Sequence, residues 1–197
     1  MKSYLLSALL AGVAGMAMAE TPGPYVYGGA GIAFGKVDQG KANADAARYL
    51  GAPNVSSSVD KDPAAFKLQG GYGFGGIFAV EAGYVKTRDY GYDVHAPQVA
   101  HASADVDIWN VVGVAKIPVA NGFSAITRLG VASVRANGSG AIVGLSGRKT
   151  GLTGGVGAQY DFDRNLFINT TWDTYATPSG SKLGNIVLWN VGIGYKF

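Results

Sequence analysis

"VLWNVGIGYKF", residues 187–197, sets Val187, Trp189, Val191, Ile193, Tyr195 and Phe197 on one side of an extended chain and Asn190, Gly192, Gly194 and Lys196 on the other. Successive side chains of a strand point to opposite faces, so this is a period-two pattern with one apolar face. A soluble chain gains little by closing on an exposed apolar row. The stretch predicts a strand whose apolar face is covered by something other than water.

The same signature recurs upstream in segments of about ten residues. A first strand is expected over about 25–36. "FKLQGGYGF" alternates Phe66, Leu68, Gly70, Tyr72 and Phe74 with Lys67, Gln69, Gly71 and Gly73. "FAVEAGYVK" opposes Phe78, Val80, Ala82 and Tyr84 to Glu81 and Gly83. A fourth strand, about 105–117, puts Trp109, Val111, Ala115 and Ile117 opposite Asn110 and Lys116. "FSAITRLGVASV" sets Phe123, Ala125, Leu129 and Val131 against Ser124, Arg128 and Gly130. Strands over 150–161 and 166–175 and the terminal stretch complete a set of eight. The best candidate for a transmembrane helix, "IWNVVGVAKIPVANGFSAI", is broken by Lys116, Pro118 and Asn121 and reads as two strands and a turn.

The connections alternate as regularly as the side chains. Gly75-Gly76, "PVANG" and "DFDRN" are short turns, whereas 37–64, 88–104, 135–149 and 176–185 are long and hydrophilic. Short turns at one end and long loops at the other are the layout of an all-β, eight-stranded antiparallel up-and-down transmembrane β-barrel. The chain opens with a lone cation, Lys2, an apolar run from Leu5 to Met18 and small residues at Ala17 and Ala19. That pattern predicts a secretory signal peptide over 1–19 and a mature barrel domain over 20–197. The run is too short for a membrane anchor, and eight strands with three turns and four loops use up the mature length.

Composition narrows the function classes. The 197 residues include 31 glycines and no cysteine, and the net charge is +3. Lipidation after the apolar run and a disulfide framework are therefore excluded. The basic residues are scattered, which argues against nucleic acid as a partner. A soluble lipocalin-type barrel shows the same alternation with its faces exchanged. Two features favour lipid outside: a glycine-rich, small or polar opposite face that fits a narrow lumen, and aromatics gathered near strand ends as interfacial girdles. The girdle set is Tyr25, Phe66, Phe74, Phe78, Tyr84, Trp109, Phe123, Tyr160, Trp172, Trp189, Tyr195 and Phe197.

"VEAGY", "IPVANGFSAITRLGVASVRA", "GGVGAQYDFDRNLF" and "WNVGIGYKF" resemble the transmembrane barrel of the OmpA family of bacterial outer-membrane proteins. The resemblance covers most of the chain from about residue 66 onward and is sharpest at "TRLG" and "GYKF". It implies a cell outer membrane location, lipid and lipopolysaccharide as surroundings, and a monomeric barrel without the peptidoglycan-binding domain of larger members. It further implies that the terminal strand, with Trp189, Val191, Ile193, Tyr195 and Phe197, is read by the outer-membrane assembly machinery.

With lipid outside, Lys67, Glu81, Lys116, Arg128, Asp173 and Lys196 point into the lumen, and buried charges must pair. The resemblance implies an interior network of acidic and basic side chains that fills the barrel and is a candidate gate. Glu81 in "VEAGY", Arg128 in "TRLG" and Asp173 in "TWDTY" match it, while Lys116 stands in a different relation to its proline. The network plugs the barrel in one reading and regulates a narrow pore for small solutes or ions in the other. A third reading, a lipid-modifying enzyme, rests on His95 and His101 near Asp93, Ser103 and Asp105, which form no recognisable nucleophile and base motif. No cofactor or metal is expected, since the histidine spacing fits no common ligand set. "GGYGFGG" contains G-x-G-x-x-G but leads into a strand, so it is turn and lumen packing. The first long loop, with a short helix expected within 42–50, is the place for extracellular ligands.

Overall fold

The computed structural model describes residues 21–37, 56–59, 63–88, 90–95, 100–139, 147–176 and 183–197. The expected signal peptide and the expected helix within 42–50 lie outside them. The described residues form ten strands: β1 Gly23–Val37, β2 Ser56–Val59, β3 Ala64–Gly73, β4 Phe78–Thr87, β5 Tyr90–His95, β6 Ala100–Ala120, β7 Phe123–Ser139, β8 Gly147–Asp161, β9 Leu166–Tyr175 and β10 Leu183–Lys196. Eight of them, all antiparallel, form a ring in the order β1-β3-β4-β6-β7-β8-β9-β10, and β10 closes it by pairing with β1 from Tyr25↔Lys196 to Val37↔Leu183. Closure leaves no ring edge with unpaired backbone groups.

The turns explain their residues. Asn121 and Gly122 both take positive φ, 47° and 83°, the requirement of the tight hairpin turn that matches strand twist. Gly75 and Gly76 do the same between β3 and β4. In the third turn Asp163 Oδ1 accepts from the backbone N–H of Leu166 and of Asn165, 2.7 Å each. These donors hold the exposed Asp163 carboxyl below its ordinary range.

Strand lengths depart from the sequence expectation at the other end. The segments 88–104 and 135–149 are not loops throughout: β5 pairs with β6 from Tyr90↔Ala104 to Val94↔Ala100, and β7 runs to Ser139. β2 adds to β5 inside the expected first loop. A backbone ladder needs no apolar face, so it continues where the polarity signal has faded. His95 and His101 accordingly stand on strands, with His101 in register with Asp93.

The faces are arranged as the alternation requires. Phe66, Leu68, Phe78, Val111, Leu129 and Ile193 point outward and are exposed, while Lys67, Gln69, Glu81, Asn110, Arg128, Asp173 and Asn190 point inward and are buried. Large apolar groups outside and charged groups inside invert the order of a water-soluble protein.

Candidate functional site

Four charged side chains from four strands meet in the middle of the barrel. Lys67 on β3 places Nζ 2.6 Å from Asp173 Oδ2 on β9. Arg128 on β7 reaches both carboxylates, with Nε 3.2 Å from Glu81 Oε2 and Nη1 3.7 Å from Asp173 Oδ1. All four are at most 5% exposed, so the two cations and two carboxylates neutralise each other out of water. Truncating one partner of such a buried pair strands the other.

Neutral donors complete the cluster. Tyr25 and Tyr27 on β1 donate to Glu81 Oε1 and Oε2 at 2.8 and 3.0 Å. Thr171 donates to Asp173 Oδ2 at 2.8 Å, and Asn190 donates to Thr171 Oγ1 at 2.7 Å. Beside them Gln69 donates to Asn110 Oδ1 at 3.0 Å. The Tyr27 ring lies under both cations, 5.8 Å from Lys67 Nζ and 5.5 Å from the Arg128 guanidinium carbon. Tyr25, expected in the outer girdle, therefore faces the lumen. Its row continues through Tyr27 to Ala33, while Val26, Ile32 and Phe34 are the exposed set of β1.

Inward glycines make the room. A methyl group on Gly83 would meet the Gln69 amide, and one on Gly155 would meet the Asp173 carboxylate. A side chain there would displace the cluster.

Lys116 and Lys196 do not join this cluster. Both reach Asp161 at the turn end of the barrel, with Lys196 Nζ 2.8 Å from Oδ1 and Lys116 Nζ 3.6 Å from Oδ2. The six lumen charges expected from sequence thus fall into a buried central group of four and a half-buried group at the mouth. Strand parity predicts facing but not height along the axis, which depends on stagger between strands.

Toward the loop end the lumen changes character. Ala33, Ala65, Val85, Val106, Ile108, Ala132, Val134, Tyr175, Ile186 and Leu188 form one buried apolar cluster, contributed by β1, β3, β4, β6, β7, β9 and β10. On the turn side Val112, Val114 and Ile126 pack with Ala79. Phe167 adds an edge-on ring 6.1 Å from those of Tyr25 and Tyr27. The ionic cluster is thus layered between apolar groups. The sequence pattern predicts a small or polar inner face, and this septum departs from it where Val85, Ile108 and Leu188 stand directly beside the outward aromatics Tyr84, Trp109 and Trp189, so that the period-two contrast is lost.

On the outside, Trp189, Ile193, Tyr195 and Phe197 form an exposed row, and Phe197 is 73% exposed. The backbone of the last residues is nonetheless anchored: Phe197 N–H donates to Pro24 O at 3.0 Å, and Lys196 N–H to Asn165 O at 2.7 Å. Backbone pairing therefore extends to the last residue of the row.

A family model described as an outer membrane protein beta-barrel domain matches residues 5–197. No curated protein matches the chain by sequence. Among solved structures the chain is similar to Neisserial surface protein A, at 13% identity and TM-score 0.61 over 88% of this chain and 97% of that one. It is similar to OprG of Pseudomonas aeruginosa, at 16% identity and TM-score 0.59 over 89% and 96%. It is similar also to Ail, the attachment invasion locus protein of Yersinia pestis, solved with the heparin analogue sucrose octasulfate, at 20% identity and TM-score 0.57 over 89% and 99%.

Proposed function

The chain belongs to the outer membrane protein β-barrel family, and from that premise we propose that it is an integral outer-membrane barrel with a closed lumen, serving the envelope structurally and through its surface. The observation that carries the closed reading is the layered filling. The Glu81–Arg128–Asp173–Lys67 cluster occupies the middle, and the apolar septum from Val85 to Leu188 lies beyond it. An eight-stranded barrel has an interior just wide enough for side chains to fill. An ion crossing this layer would shed most of its water, with only a few hydroxyls such as those of Thr87 and Tyr175 to replace it.

Planar-bilayer recording tests this. The purified protein should give no resolvable conductance, and Glu81→Ala with Arg128→Ala should remain silent because the septum still blocks the path. Steady ion-selective channels from the unaltered protein would replace the closed reading with the narrow pore.

The surface role draws support from β6 and β7, 21 and 17 residues long, which with the short β5 carry the sheet beyond the length needed to cross a bilayer. A protein of the same fold, Ail, was solved with a sulfated saccharide analogue. Export through cleavage after Ala19 and recognition of the β10 row by the assembly machinery belong to the same proposal.

A further inference from the structure

Asparagine is followed by glycine twice in the chain, at Asn121-Gly122 and at Asn137-Gly138. Such a pair is chemically labile in water, because a glycine without a β-carbon lets its backbone nitrogen approach the asparagine side chain. The fold treats the two pairs differently. Asn137 and Gly138 lie inside the β6–β7 ladder, in register with Asp105 and Ala104. Asn121 and Gly122 instead make up the whole turn between the end of β6 at Ala120 and the start of β7 at Phe123.

This turn demands the labile pair. Both residues take positive φ, 47° and 83°, a conformation that asparagine and glycine adopt more readily than other residues. At Gly122 a β-carbon would stand 2.9 Å from the Asp161 carbonyl oxygen, and the Gly122 carbonyl accepts from the Asp161 N–H at 2.9 Å. Glycine is therefore fixed there by close approach of β8. Both turn residues are exposed, so water reaches them, and neither belongs to the ladder, which closes at Ala120↔Phe123.

We propose that Asn121 is a site of spontaneous covalent modification, in which cyclisation onto Gly122 followed by hydrolysis converts its amide into a carboxylate without an enzyme. The Gly122 nitrogen attacks Cγ of Asn121. A new N–C bond forms, the Cγ–Nδ2 bond breaks, and ammonia leaves with the proton that the Gly122 nitrogen gave up. Water then opens the cyclic imide at one of its two carbonyls. Opening at Cγ gives aspartate, and opening at the backbone carbonyl gives isoaspartate, whose chain runs through the former side chain. No electron is transferred, and water is the one co-reactant. Aspartate tolerates the left-handed turn as asparagine does. Isoaspartate lengthens the chain within a tight turn, so its cost falls on the Ala120↔Phe123 pair, while the ladder from Pro118↔Ser124 onward keeps its register.

The test uses the full chain folded in zwitterionic detergent, with folding verified by its heat-dependent gel position, and the same chain held in urea. Both are incubated at mildly alkaline pH, which favours loss of the proton from the attacking nitrogen. They are then digested at acidic pH, and peptide mass spectrometry reads the exchange of NH2 for OH at each asparagine. In urea the two Asn-Gly pairs should react at similar rates. In the folded chain Asn121 should keep reacting while Asn137 slows at least about tenfold, the suppression that a local opening cost of about 1.4 kcal/mol already imposes. Isoelectric focusing of the folded sample should show a second form, one charge more negative, that runs with Asn121→Asp. An Asn121 that stays unmodified in the folded chain, or equal modification of Asn121 and Asn137 there, would overturn the site. If Asn121→Asp does not fold, the peptide masses of the unaltered chain decide alone.

Discussion

Glu81 is held from two sides, by the Tyr25 and Tyr27 hydroxyls and by Arg128. Removing one member leaves a buried group without its counter-charge. Glu81→Ala or Arg128→Ala should each lower stability by about 3–5 kcal/mol, measured by urea unfolding in lipid vesicles. Both together should cost less than the sum, because the second change removes the charge that the first stranded. Gly155→Ala should cost about 1–3 kcal/mol, since its methyl runs into the Asp173 carboxylate. The charges themselves were legible: Glu81, Arg128 and Asp173 sit mid-strand at positions of inward parity. Their tyrosine partners were not, because a tyrosine near a strand end fits an outer girdle as well as a lumen. In β1 the glycines at 28, 29 and 31 weaken the parity that would have decided it.

At the level of elements, β10 joins the two ends of the ring while presenting its apolar row outward. Deleting Phe197 should lower the amount of assembled barrel in the outer membrane, read as the fraction with the compact unboiled gel position. Normal assembly without Phe197 would contradict its role as a signal. The turn between β8 and β9 carries a pH dependence. Asp163 is depressed by the N–H groups of Leu166 and Asn165, so its support of the turn is present above the ordinary aspartate value of about 4 and lost as pH falls through its lowered value. The stability difference between the unaltered chain and Asp163→Asn should therefore shrink as pH drops below about 4, followed by denaturant titration at each pH. All eight ring strands were readable from period-two polarity. Their loop-side ends and the β5 hairpin were not, because there the ladder is held by backbone bonds while the side chains are polar on both faces.

The whole molecule is an inverted arrangement, apolar outside and ionic inside. It has consequences that neither a single residue nor a single strand carries. Facing was legible where the aromatic and aliphatic set alternates with glycine or polar and charged residues, as in β3 and the second half of β10. Height along the axis was not, so the sequence could not separate the central cluster from the Lys116–Asp161–Lys196 group or reveal the septum between lumen and loops. All three tryptophans, Trp109, Trp172 and Trp189, stand on the outer face, with exposures of 58%, 49% and 40%. Their fluorescence in vesicles therefore reports directly what covers that face. Lipids brominated on their acyl chains should quench the emission strongly, and iodide in the buffer should quench it little. Strong iodide quenching with no effect of brominated chains would place the apolar face away from lipid and contradict the arrangement.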